Sequence, residues 1–110
     1  DKKKKEIVFD RFCEDVRNFY RINRSIPFYS GRLAVSSKYL NDIVKENSGM
    51  TANDYVDRQT IIECKAVLSS TEMSIQRNSS MMNFPSYSVF GKFFKRMTGM
   101  TPTEYREMTK

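Results

Sequence analysis

The stretch "KENSGMTANDYVDR", Lys45–Arg58, is written again fifty residues later as "KRMTGMTPTEYREM", Lys95–Met108. Both carry Lys, then Gly-Met-Thr, then an acid followed by Tyr. At this offset the match extends upstream. Tyr39-Leu40 faces Val89-Phe90, Ile43-Val44-Lys45 faces Phe93-Phe94-Lys95, and Ser36 faces Ser86. Thr51 and Asp54 face Thr101 and Glu104, and Asn78 faces Phe28. The repeated unit ends in helix punctuation: a Gly suited to a left-handed C-cap, then a Thr suited to an N-cap. Thr101-Pro102-Thr103-Glu104 is the fuller version, with Pro at the first helical position and Glu at N3.

Around this punctuation the apolar spacing is helical throughout. Phe9, Phe12, Cys13, Val16, Phe19 and Tyr20 form one stripe, which predicts a helix over 7–24. Ser25-Ile26-Pro27 breaks it. A short helix is expected over Phe28–Ala34, with Phe28, Leu33 and Ala34 apolar and Gly31 tolerated at about 1 kcal/mol. Ser36 and Ser37 open a helix reaching Asn47, backed by Tyr39, Leu40, Ile43 and Val44. A longer helix follows from Thr51 to about Ser70. The second half repeats the plan: a short helix from Ile75 to about Met82, a turn at Pro85-Ser86, then a face of Val89, Phe90, Phe93, Phe94 and Met97. No stretch alternates with period two, so the expected fold is all-α.

Composition removes several classes of function. There is no histidine, which excludes histidine triads, histidine general bases and Cys/His zinc sites. Without a glycine-rich phosphate loop or a paired-carboxylate motif, neither an enzyme nor a cofactor or metal is expected. Cys13 and Cys64 lack CxxC partners and read as free thiols of a reducing compartment. Met73, Met81, Met82 and Met97 read as adaptable core or interface filler. No apolar run approaches the roughly 20 residues of a membrane span. The net charge is +6, carried at the ends: residues 1–24 and 69–110 are each +3, and 25–68 are neutral. That favours an anionic partner without naming one. Lys2–Lys5 is a solvated helix start or linker, or an arm for a membrane or nucleic acid.

Each half therefore contains two helices joined by a short turn, the second with an apolar back and a polar front. That is the plan of a helix-turn-helix unit, whose second helix enters the DNA major groove. The front of the first copy is Ser37, Lys38, Asn41, Asp42 and Lys45; that of the second is Tyr87, Ser88, Lys92, Lys95 and Arg96. Helical hairpins also make scaffolds and docking sites, so a helical protein-interaction module is the competing reading.

The segments "FYSGRLAVSSKYLNDIVKENSGMTANDYV" and "SIQRNSSMMNFPSYSVFGKFFKRMTGMTPTEYR" resemble the DNA-binding domain of AraC-type transcription regulators. The resemblance covers about residues 26–107 and is densest over Phe90–Arg106. It implies two helix-turn-helix subdomains joined by a long linker helix. The implied division is a leading helix and linker over 1–24, a first unit over 25–50, the linker helix over 51–70, and a second unit with C-terminal helix over 71–110. It implies a fragment of a cytoplasmic bacterial regulator whose partners are double-stranded DNA, an upstream sensor domain of the same chain, and RNA polymerase. Carried over by position, the implied base readers are Ser37, Lys38, Asn41 and Asp42 in the first unit. In the second they are Ser86, Tyr87, Ser88, Val89 and Lys92. The phosphate contacts fall on Lys45, Lys95, Arg96, Thr51, Thr101 and Arg106, the two threonines through the helix starts they cap. Asp42 is equally readable as an ion-pair partner of Lys38 or Lys45.

The chain departs from the family pattern twice in its second unit. Asn78-Ser79 stands where the family has an apolar residue and Ala, and Asn83 stands where it has Gly before Phe. Asn83 suits a left-handed turn better than other non-glycine residues. Asn78 has three readings: exposed on a shifted helix, buried with a partner, or part of an altered stretch that weakens the unit.

Overall fold

The computed structural model describes residues 2–110, with Lys2 described by its backbone alone. Among the described residues there are seven helices and no strand. The chain forms two compact units, Asp1–Gln59 and Thr60–Lys110, so the division falls inside the fourth helix.

In the first unit, α1 is Lys2–Phe19, α2 is Ile26–Arg32 and α3 is Ser37–Ser48. α1 begins five residues before the expected start at Ile7, because lysine is itself a good helix former. It stops at Phe19 rather than Arg24: the N–H groups of Ile22 and Asn23 both turn back to the Phe19 carbonyl, at 2.9 Å each. α2 starts at Ile26 rather than Phe28, because Pro27 fits the first turn, where no N–H is required. It ends before Ala34, which takes a left-handed φ of 56°. The face expected of Phe28, Leu33 and Ala34 is displaced: Tyr29 and Ser30 are the buried residues of α2, and Ala34 is exposed. Phe12, Val16, Tyr29, Leu40 and Val44 are fully buried. The Phe12 ring meets Tyr29 edge-on at 5.7 Å. Arg32 fastens α2 to α1, with Nε and Nη2 donating to both Asp15 carboxylate oxygens at 3.1 and 3.2 Å. Its guanidinium lies 4.3 Å over the Phe19 ring.

α4, Ala52–Ser70, starts in the first unit and ends in the second. The second unit continues with α5, Ile75–Met81, α6, Tyr87–Thr98, and α7, Pro102–Met108. Phe90 and Phe94 are fully buried, and Tyr105 packs on Phe94 at 5.5 Å between ring centres. Val89, expected on this apolar face, is instead 44% exposed, because it lies one residue off the Phe90/Phe94 stripe.

The two hairpins follow one plan with one extra residue in the second. Ile26–Arg32 and Ile75–Met81 stand 49 apart, whereas Ser37–Ser48 and Tyr87–Thr98 stand 50 apart. The turns fix where the extra residue lies. Val35 N–H donates to Ser30 O at 3.0 Å, and Phe84 N–H donates to Ser79 O at 3.1 Å. Ala34 and Asn83 share the left-handed conformation, with φ of 56° and 58°. Pro85 is therefore the insertion, placed between Phe84 and the N-cap Ser86. Asn78 consequently faces Tyr29, not Phe28. It is fully buried, and neither its Nδ2 nor its Oδ1 has a hydrogen-bond partner. The reading in which it is exposed on a shifted helix is excluded, and so is the reading in which it is buried with a partner.

Candidate nucleic-acid interface

α3 and α6 are built by the same devices. Ser36 Oγ accepts from Tyr39 N–H at 3.0 Å, and Ser86 Oγ accepts from Val89 N–H at 3.1 Å. At the other end Gly49 and Gly99 take φ of 77° and 82°, and donate to the Lys45 and Lys95 carbonyls at 2.9 and 2.7 Å. Left-handed φ is cheap for glycine and costly for residues with a Cβ. The capping fixes the rotation of each helix about its axis, and so decides which side chains stand outward.

On α3, Leu40, Ile43 and Val44 are buried, leaving Ser37, Lys38, Asp42 and Lys45 exposed. They recur at i, i+1, i+5 and i+8, one stripe along the helix. Lys38 pairs with Asp42 at 3.8 Å in the open, with Lys38 90% exposed. Such a pair contributes only about 0.3–0.5 kcal/mol, so both groups can be drawn away by a ligand. Asn41 Oδ1 accepts from Ala52 N–H at 2.9 Å and holds the start of α4. The Ser37 hydroxyl lies 3.1 Å from that of Ser30.

On α6, Phe90 and Phe94 are buried, and Tyr87, Ser88, Val89, Lys92, Lys95 and Arg96 are exposed. Arg96 stacks on Phe93 at 5.4 Å. The Ser86 hydroxyl is occupied as N-cap. An open groove of about 380 Å³ runs between Tyr87, Ser88, Lys92 and Lys95 of α6 and Thr101 and Pro102 at the start of α7. Gly91 forms its floor, at the position that Asn41 holds in α3. The pairing of Gly91 with Asn41 in the sequence repeat was the signal for this groove, and spacing rules centred on side chains pass over it.

The helix starts after both glycines are capped from within. Thr51 Oγ1 accepts from Asp54 N–H at 3.0 Å. Thr101 and Glu104 form a reciprocal capping box, with Thr101 N–H donating to Glu104 Oε1 at 2.9 Å. That hydrogen bond, helped by Lys95, holds the Glu104 carboxyl below its ordinary value of 4.5. Arg106 is half-buried and reaches inward, its Nε donating to Leu68 O at 3.1 Å and its Nη2 to Met73 O at 2.5 Å. Among the described residues no cluster of His, Cys, Asp or Glu is able to hold a metal, and no helix is long and apolar enough to cross a membrane.

Residues 29–108 match the helix-turn-helix domain family. The chain is 32% identical to the probable transcription factor PqrA of Proteus vulgaris over 74% of this chain and 67% of that protein. It is 30% identical to the HTH-type transcriptional regulator YisR of Bacillus subtilis over 94% of this chain and 36% of that protein. The chain spans only 13% of YtdP from the same bacterium and 37% of the transcriptional activator RhaR of Salmonella dublin. Among solved structures it superposes on the C-terminal domain of the response regulator AraT of Geobacillus stearothermophilus with a TM-score of 0.85. There the identity is 19% over 92% of this chain and 84% of that one. The DNA-binding domain of AdpA, solved with a target DNA, gives a TM-score of 0.78 at 14% identity, over 92% of this chain and 90% of that one. The chain belongs to the AraC-type helix-turn-helix family of transcription regulators, and is a DNA-binding domain of that type.

Proposed function

We propose that the chain is the output domain of a cytoplasmic bacterial regulator that reads a bipartite DNA site with two helices. α3 and α6 each enter a major-groove segment, the segments lying about 34 Å apart along the duplex. The observation that carries this is the shared construction of the two helices: capped ends, one buried face and one exposed face with a cation at the matching positions Lys45 and Lys95. Lys38, Asp42, Tyr87, Ser88, Val89 and Lys92 are the base-facing set. Lys45, Lys95 and Arg96 are the phosphate-facing set. Ser37, Asn41 and Ser86 also act as internal supports, through the hydroxyls of the two serines and the Oδ1 of Asn41. Arg106 and the caps Thr51 and Thr101 serve the fold first, and Asp54 and Glu104 in those caps repel phosphate. The upstream sensor and RNA polymerase remain the partners this role requires.

Selection from random duplex DNA, followed by salt titration of the winner, tests the proposal. Two half-elements one turn apart with a steep salt slope are expected. No enriched sequence at low salt refutes the reading and favours a docking module, a reading to which the exposed Tyr87 and Val89 would also be suited.

A further inference from the structure

We infer that the second recognition helix reads thymine through the C5-methyl group, so that the half-site bound by α6 is thymine-rich. This rests on the bipartite reading above and adds the base class one half must contain. The fronts of the two helices differ in kind. That of α3 is polar, with Lys38 and Asp42 paired at 3.8 Å and Asn41 beside them. That of α6 opens with two large exposed apolar residues, Tyr87 at 45% and Val89 at 44%. They stand in the first turn of the helix, the part that reaches base edges in helix-turn-helix units.

Val89 offers no donor or acceptor. Of the groups that base pairs present in the major groove, only the thymine methyl is apolar. Tyr87, though not Val89, lines the groove with Gly91, where an added Cβ would meet nothing within 4 Å, so the groove leaves room for a base edge to approach. Lys92 and Lys95 line the same groove. An exposed Tyr87 ring with Lys92 and Lys95 in the same groove suits an apolar group carried on a polyanion. A helical protein partner would have to bring its own anions to the same two places.

The test places deoxyuridine for thymine, one position at a time, in the duplex obtained by selection. Uracil keeps every hydrogen-bonding group and loses only the methyl. Each contacted methyl should contribute about fourfold in affinity, as one buried methyl group does. The sensitive positions should cluster in one half of the site. Val89→Ser and Tyr87→Ala should flatten that sensitivity, while Lys38→Ala keeps it. A half-site free of thymine, uracil duplexes bound as well as the parent, or undiminished methyl sensitivity in both α6 variants overturns the inference while leaving DNA binding intact. Failure to bind any duplex selectively removes the bipartite reading itself.

Discussion

Asn78 occupies in the second unit the buried position that Tyr29 occupies in the first, and the exchange leaves two polar atoms without partners. Tyr29 satisfies its one polar atom by donating to Asn23 O at 2.6 Å. The Asn78 amide, fully buried in α5, finds no such partner for either of its polar atoms. A buried polar group without a partner costs about 1–3 kcal/mol. Asn78→Leu, nearly the same size, should therefore raise the stability of the second unit by about 2–4 kcal/mol. Urea unfolding with hydrogen exchange checks it: amides of α5 and α6 should gain protection while those of α1 to α3 stay as they were. An unchanged urea midpoint would refute the assignment of Asn78 as an orphan.

The left-handed turn residues make a second pair, Ala34 and Asn83, with φ of 56° and 58°. A Cβ in this region costs about 1–2 kcal/mol, less for Asn, whose side chain can bond locally. Ala34 is exposed, so Ala34→Gly relieves strain without removing packing. A gain of about 0.5–1 kcal/mol is expected after the greater entropy of glycine in the unfolded chain. Asn83→Gly should change stability far less. Thermal unfolding of the two variants side by side decides this, and equal shifts would contradict it.

The repeat made the fold legible because punctuation is local. Ser36, Gly49, Thr101, Pro102 and Glu104 act within one helical turn of themselves, and all five do in the structure what their spacing implies. The long-range partners were not legible. Nothing near Asn41 in the chain announces that it caps Ala52 eleven residues on, and nothing near Arg106 announces Leu68 and Met73. Both residues read as ligand contacts from sequence because exposed polar side chains and internal braces share one composition. The single inserted residue at Pro85 misaligned the short helices by one position, which hid Tyr29 as the counterpart of Asn78.

Two phenols give the first unit an alkaline limit. Burial pushes Tyr29 from 10.0 up to about 12, and burial with the Cys13 hydrogen bond does the same to Tyr55. A raised phenol pKa means that the folded state holds the neutral form more tightly than the unfolded state does. Their contribution is fully present below about pH 10 and is lost as pH rises from there through about 12. Stability of the first unit should fall across that window, and Tyr29→Phe should make the fall shallower. Urea midpoints at intervals from pH 8 to 12 measure it; identical slopes in wild type and variant would remove Tyr29 as a cause.

Arg106 and Lys95 are both cations of the second unit, and they should fail in different ways. Lys95 is exposed beside the groove, whereas Arg106 donates to two carbonyls that otherwise terminate α4 and the segment before α5. Removing a charged donor from such carbonyls costs about 1.5–3 kcal/mol. Arg106→Ala should therefore lower the thermal midpoint and, at a temperature where the variant is folded, leave the salt dependence of DNA binding as in the parent. Lys95→Ala should leave the midpoint unchanged and lower the slope of log affinity against log salt by about 1. Lys45→Ala should do the same from the first unit. Lys38→Ala should act differently from both, weakening some sequences more than others, because Lys38 belongs to the proposed base-facing set. Titrating each variant against the selected duplex and against one scrambled duplex separates the three behaviours. A reduced slope for Arg106→Ala at unchanged stability would return that residue to the DNA-facing set.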